Sequence, residues 1–286
     1  MTPARPARRG AAGPLNAFVL HHHDWSESSV VLELFSRELG RLVAVAKGAK
    51  RPHSQLRAVL LPCQLIHIQL GRHKGDELPD VHLLRSAEWA GGSAMPGGEA
   101  LLTGLHLNEL LLRALARHDA HPRLFDAYAA SLRSLAQAHR THLDATLASR
   151  SAPRSIGQDD DLDLPEHQIG ATLRAFELLL LQESGVLPQL GCVTLTQTPL
   201  QPGQRYRLHA EAGVCAADED EAGLTAPQLA ALQTALDADD VAALQQACRN
   251  APTELRLQLR GLLHYHLGHQ PLHTRTLRVE LQRLID

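Results

Sequence analysis

Aromatic residues are scarce in this 286-residue chain: four Phe, three Tyr and two Trp, 3% of the total. Leu and Ala must therefore carry the core, which favours helices over most of the length. No apolar run approaches the ~18 residues that a membrane span needs. The opening stretch MTPARPARRG is charged and has no apolar segment behind it. It reads as a disordered basic arm over 1–14 and not as an export signal. Cysteine is sparse and unpatterned: Cys63, Cys192, Cys215 and Cys248 include no C-x-x-C pair. Such a set predicts reduced thiols in the cytoplasm.

Catalytic signatures are absent as well. The chain contains no G-x-S-x-G, G-x-x-x-x-G-K-[ST], H-E-x-x-H or G-x-G-x-x-G, so the hydrolase, P-loop, zincin and dinucleotide patterns are all missing. A metal-dependent nuclease needs clustered carboxylates on a scaffold; the one dense cluster, Asp159–Asp163, falls in a linker. Structural zinc needs two closely spaced ligand pairs. Cys192 and Cys215 have Leu195 and Asp218 three residues on, and His209 is the one obvious spare ligand. The triple His21-His22-His23 reads as a strand end with exposed imidazoles. The expectation is a non-enzyme without metal or cofactor.

What is present is a polarity of charge. Residues 1–75 hold 11 Lys and Arg against 4 acids, a net +7, so the remainder must carry −10 to reach the overall −3. A basic front points to a polyanion partner. The same front alternates with period two over Ser29–Phe35 and Leu65–Leu70 and has further short apolar runs at Leu15–His23, Arg41–Ala46 and Val81–Trp89. Five short strands in ~75 residues predict a small barrel over 15–90. Behind it the pattern turns helical: Leu101–Ala116, His121 to about Leu147, Pro165 to about Glu183, and four helices after Thr225, the last being His273–Ile285. Residues 150–165 read as a linker. Residues 186–216 read as irregular, with short strands near Val193–Leu195 and Tyr206–His209. The class is α+β, with a helical domain over 91–286.

The densest signal is AKGAKRPHSQLR, 46–57, which groups Lys47, Lys50, Arg51 and Arg57 around Gly48, Pro52 and Ser54. Cations on a barrel loop suit a nucleic-acid backbone, and Arg72 and Lys74 extend the set. In the helical part Arg113, Arg117, Arg123, Arg133 and Arg140 could lengthen the track. Phe18, Trp25, Phe35 and Trp89 suit the core at least as well as a base-stacking face, leaving base stacking a minor term. The competing class is a protein-interaction scaffold with no DNA role.

Several blocks, in order, resemble the RecO family of recombination mediators. They are Ala17–Leu20, Trp25–Ser29, Phe35–Arg41, Val45–Ala49, Gly104–Leu111, Leu124–Tyr128, Leu173–Glu177 and His266–Arg275. The resemblance covers nearly the whole chain. It implies an oligonucleotide-binding (OB) barrel followed by a helical domain. It also implies binding to single- and double-stranded DNA, annealing of complementary strands, and contacts with RecR and with the acidic tail of single-strand-binding protein. The outcome would be loading of RecA at gaps, in the cytoplasm at the nucleoid. For the tail, the helix Glu254–Leu267 offers Leu255, Leu259, Leu262 and Leu263 beside Arg256 and Arg260; the candidate contacts are Arg256, Arg260 and Leu263. The chain departs from the family where many members carry a four-cysteine zinc module. Leu195 and Asp218 stand where ligands would be expected, so 186–216 is read as a zinc-free, ribbon-like insert.

Overall fold

A computed structural model of the protein describes residues 13–72, 79–92, 94–151, 165–218, 221–268, 270 and 272–285. Most of the basic arm, Lys74, and the Asp159–Asp163 cluster lie outside them. The described chain falls into two compact units. One runs to Gly92 and also takes in Ala116–Pro122; the other comprises the rest.

The first unit is a closed barrel of β1 (Leu15–Asp24), β2 (Val30–Ser36), β3 (Gly40–Ala46), β4 (Leu65–Leu70) and β5 (His82–Trp89), in the order β1-β2-β3-β5-β4. The period-two pattern builds it directly. Leu32, Leu34, Leu42, Ala44, Ile66 and Ile68 alternate inward and are fully buried, so slipping any strand by one residue would turn its apolar set to solvent. The parallel pair Ala44↔His82 and Val45↔Leu83 closes the barrel. The period-two run Leu65–Leu70 is β4 as expected, and Leu56–Val59 ahead of it forms a single helical turn, α1. Gly40 ends the tight β2–β3 turn at φ +71°, and a Cβ there would lie 1.7 Å from the Asp119 carbonyl oxygen. Glycine is required on both counts. The same loop is tied down by His118 N–H donating to Arg41 O (2.8 Å) and by Arg117 pairing with Glu33 (3.2 Å).

The second unit contains α2 (Gly98–Ala114), α3 (Pro122–Ser151, of which Arg123 onward belongs here), α4 (Pro165–Glu183), α5 (Ala226–Asp237), α6 (Val241–Arg249), α7 (Pro252–Leu267) and α8 (His273–Ile285). A small sheet, β6 (Arg205–His209), β7 (Gly213–Ala216) and β8 (Leu224–Thr225), lies between α4 and α5 in sequence. Local chemistry sets the helix starts. Thr225 and Gln228 form a reciprocal capping box ahead of α5, and Asp240 accepts from Ala242 and Ala243 N–H at the start of α6. At the start of α7 Ala251 occupies the cap position and Pro252 the first turn, where a missing N–H costs nothing. The expected strand at Val193–Leu195 is absent; a Cys192↔Pro199 bridge closes a turn there.

The blocks read in the sequence as signatures meet in this unit. Asn108 on α2 accepts a short hydrogen bond from Tyr128 of α3, whose ring packs edge-on against Phe176 of α4. Glu109 accepts from the His273 and Thr274 N–H groups (2.8 and 3.0 Å) and from Thr274 Oγ1 (2.8 Å). A carboxylate from a distant helix thus satisfies orphan donors at the start of α8. Burial alone would raise the Glu109 pKa, but these hydrogen bonds and Arg113 outweigh it and hold the carboxyl low. His106 sits 2.9 Å from Thr274 Oγ1 and stays neutral, its pKa lowered to about 4 by burial and by Arg174 and Arg278.

Candidate nucleic-acid interface

The segment 46–57 folds as a string of tight turns: Arg51 N–H donates to Gly48 O, Ser54 to Arg51 O and Arg57 to Ser54 O. Gly48 is needed for its left-handed φ of +74° and not for close approach, since a Cβ would make only ordinary contact with the Arg51 side chain. Lys47, Arg51 and Arg57 are exposed, and none makes an ion pair among the described residues. Lys50 differs. Its ammonium donates to Asp24 (2.9 Å) and to the Ser26 carbonyl (3.1 Å), and its N–H donates to Ser28 O (3.0 Å). It fastens the β1–β2 turn to the cationic segment.

Strand order places Arg72 just past the end of β4, across β5 from β3. Val45 pairs with Leu83 across the closing seam, and Gly71 N–H donates to Leu83 O (2.7 Å) from the other side. Lys47 lies two residues past Val45 on a strand parallel to β5, and Arg72 one past Gly71 on a strand antiparallel to it, so the two lie on opposite sides of β5 and are displaced in opposite directions along it. Val45 and Gly71, one ~4.8 Å strand spacing to each side of Leu83, are roughly 10 Å apart. Exposed Lys47, Arg51, Arg57 and Arg72 are cations for which phosphate oxygens would be natural partners.

Arg113 has partners within its own unit. It is mostly buried, pairs with Glu109 (2.9 Å) and donates to the Gln270 carbonyl, so it holds the chain ahead of α8 in place. Arg117 pairs with Glu33, and Arg123 with Glu183 and Asp239. Arg133 and Arg140 are exposed. On α7, Arg256 and Arg260 are exposed, but Leu255, Leu259, Leu262 and Leu263 all belong to the core. Leu263 is thereby removed from the candidate tail contacts. The exposed apolar residues of that helix are Leu257 and Tyr265, which with Gly261 and Arg207 line a groove of about 640 Å³.

The aromatic expectation is half overturned. Phe18 and Phe35 are buried, whereas Trp25 is 71% and Trp89 61% exposed. Indole is large and apolar, and strand ends next to turn residues leave it without a core to enter; the Trp25-Ser26-Glu27-Ser28 turn was the available signal. Among the described residues no three His, Cys, Asp or Glu side chains gather as a metal site, and no helix is long and apolar enough to cross a membrane. None of the four cysteines forms a disulfide.

A closed five-stranded OB-like barrel followed by a mainly helical unit defines the architectural class. Comparison with known proteins gives the family. The family model for the recombination protein O N-terminal domain matches 15–90, and that for its C-terminal domain matches 96–149. The DNA repair protein RecO of Polaromonas naphthalenivorans is 47% identical over 94% of this chain and 96% of its own length. Those of Verminephrobacter eiseniae and Acidovorax ebreus are 45% and 46% identical over 97% of this chain and 99% of theirs. The chain belongs to the RecO family, and its role lies in DNA repair and recombination.

Proposed function

We propose that this protein is a non-catalytic recombination mediator that binds single- and double-stranded DNA through its barrel and anneals complementary strands. The observation that carries the reading is the set of exposed cations Lys47, Arg51, Arg57 and Arg72, none of which makes an ion pair among the described residues, on a barrel of this family. Each phosphate neutralised releases condensed counterions, so affinity falls steeply with salt. Two strands on one basic surface have their mutual repulsion screened, which favours annealing. RecR and the tail of single-strand-binding protein are the protein partners, RecA the indirect beneficiary, and the cytoplasmic nucleoid the place of action. For an acidic tail ending in apolar residues, Arg256 and Arg260 supply the charge, and the neighbouring Leu257–Gly261–Tyr265 groove supplies an apolar seat.

Fluorescence anisotropy of labelled DNA across a salt series tests the reading. The expected result is binding that weakens with salt and is impaired when Lys47, Arg51 and Arg57 are all changed to Ala. Failure to bind at low salt would leave a protein-interaction scaffold.

A further inference from the structure

We infer that Trp25 is a base-stacking platform that gives the barrel a preference for unpaired nucleotides. The inference rests on the DNA-binding reading above and adds to it a residue and a selectivity.

Three observations combine. First, the chain has two tryptophans and folding buries neither; Trp25 is 71% exposed, although burying a large side chain is worth about 2 kcal/mol or more. Second, Trp25 is not on a loose loop. Its N–H donates to Ser29 O (3.1 Å), Ser26 N–H also donates to Ser29 O (3.3 Å), and Ser29 N–H donates to Ser26 Oγ (3.2 Å). Lys50 then ties the turn from outside through Asp24, Ser26 and Ser28. A rigid backbone presents the indole at low entropic cost. Third, the residue that makes this tie is the middle of the cationic run, so Lys47 and Arg51 stand within three residues of the anchor.

An exposed aromatic face near exposed cations that make no ion pair among the described residues matches the two halves of a nucleotide. The indole takes the base and the cations take the phosphates on either side. Every base has a π-face, so stacking is tolerant of sequence. Bases in a duplex are already stacked on each other and cannot use the platform. Lys50 is then a positioning residue: it holds the turn, and Lys47 and Arg51 hold the strand.

The test uses the full chain and three probes of equal length: an oligothymidylate, an abasic deoxyribose-phosphate strand and a duplex. Trp25→Ala is expected to weaken oligothymidylate binding by about 10-fold, in line with alanine substitution at other stacking sites. Binding to the abasic strand and to the duplex stays within about twofold, and the salt slope is unchanged because no charge is removed. Trp25→Phe restores most of the loss. In the Trp89→Phe chain, Trp25 is the only indole, and its fluorescence is quenched by oligothymidylate but not by the abasic strand. Unchanged oligothymidylate binding by Trp25→Ala, an equal loss on all three probes, or no quenching overturns the inference while leaving DNA binding intact. No binding of any probe by the wild-type chain at low salt overturns both.

Discussion

Lys47 on the barrel and Arg113 on α2 both read as DNA-facing cations in the sequence, yet they do opposite things. Lys47 is exposed and makes no ion pair among the described residues. Arg113 is clamped between Glu109 and the Gln270 carbonyl. The contrast extends across the two units. The barrel's core cluster runs from Leu15 to Ala87, with Ser29, Ser36 and His82 buried beside it, and Lys47, Arg51, Arg57 and Arg72 face solvent. The helical unit buries Thr103, Asn108, Glu177, Gln245 and Gln258, and Arg113, Arg123, Arg174, Arg207 and Arg278 all reach carboxylates. A count of cations therefore does not locate a polyanion site. The informative quantity is the number of cations left over after the protein's own acids are satisfied.

The contrast can be broken most forcefully at Gly40. Gly40→Ala puts a Cβ against the Asp119 backbone at φ +71°, a left-handed strain plus an overpacking clash worth about 2–5 kcal/mol together. Chemical denaturation should show a loss of that size.

The helical unit should show its polar interior in its pH response. His106 is lowered to about 4, so between there and its unfolded value of 6.5 only the unfolded chain takes the proton. Its contribution is complete above 6.5 and is lost as pH falls toward 4. Glu177, fully buried beside Arg174 at 3.0 Å, is pushed up to about 7 by burial against the pull of Arg174. Between 4.5 and 7 only the native state holds that proton, so its contribution is complete below 4.5 and is lost as pH rises through 7. The two slopes oppose each other, each up to about 3 kcal/mol. Stability of His106→Asn should therefore fall with rising pH across 4.5–6.5, and that of Glu177→Gln should rise. Matching profiles for the two variants would contradict the assignment.

A smaller effect is expected at Glu109. Glu109→Ala strips the charged acceptor from the start of α8 and should cost about 2 kcal/mol. Hydrogen exchange should rise in α8 while barrel strands keep their protection.

The barrel was legible because its strands alternate cleanly and its turns carry Gly40 and Gly48. The helices after Thr225 were legible through caps and prolines at their starts. The pairing of Arg113 was signalled locally: Glu109 lies four residues before it, one helical turn away, whereas no acid lies within four residues of Lys47. Arg123 could not have been resolved this way, since its partners Glu183 and Asp239 are distant in sequence. Leu263 and the two tryptophans failed for a related reason. Residue type gives an average burial, but which face of α7 meets the core and where a strand end projects are decided by tertiary packing.

The central claim is that the leftover cations of the barrel, and not the arginines of the helical unit, bind DNA. The most direct test is a salt series of oligothymidylate binding for three chains: wild type, the triple Lys47→Ala, Arg51→Ala, Arg57→Ala, and the pair Arg133→Ala, Arg140→Ala. The account predicts that the triple variant loses roughly 0.7 from the log–log salt slope for each phosphate contact removed, about 2 in all, while the helical pair stays near wild type. A triple variant with wild-type affinity and slope, or a larger loss in the helical pair, would contradict it.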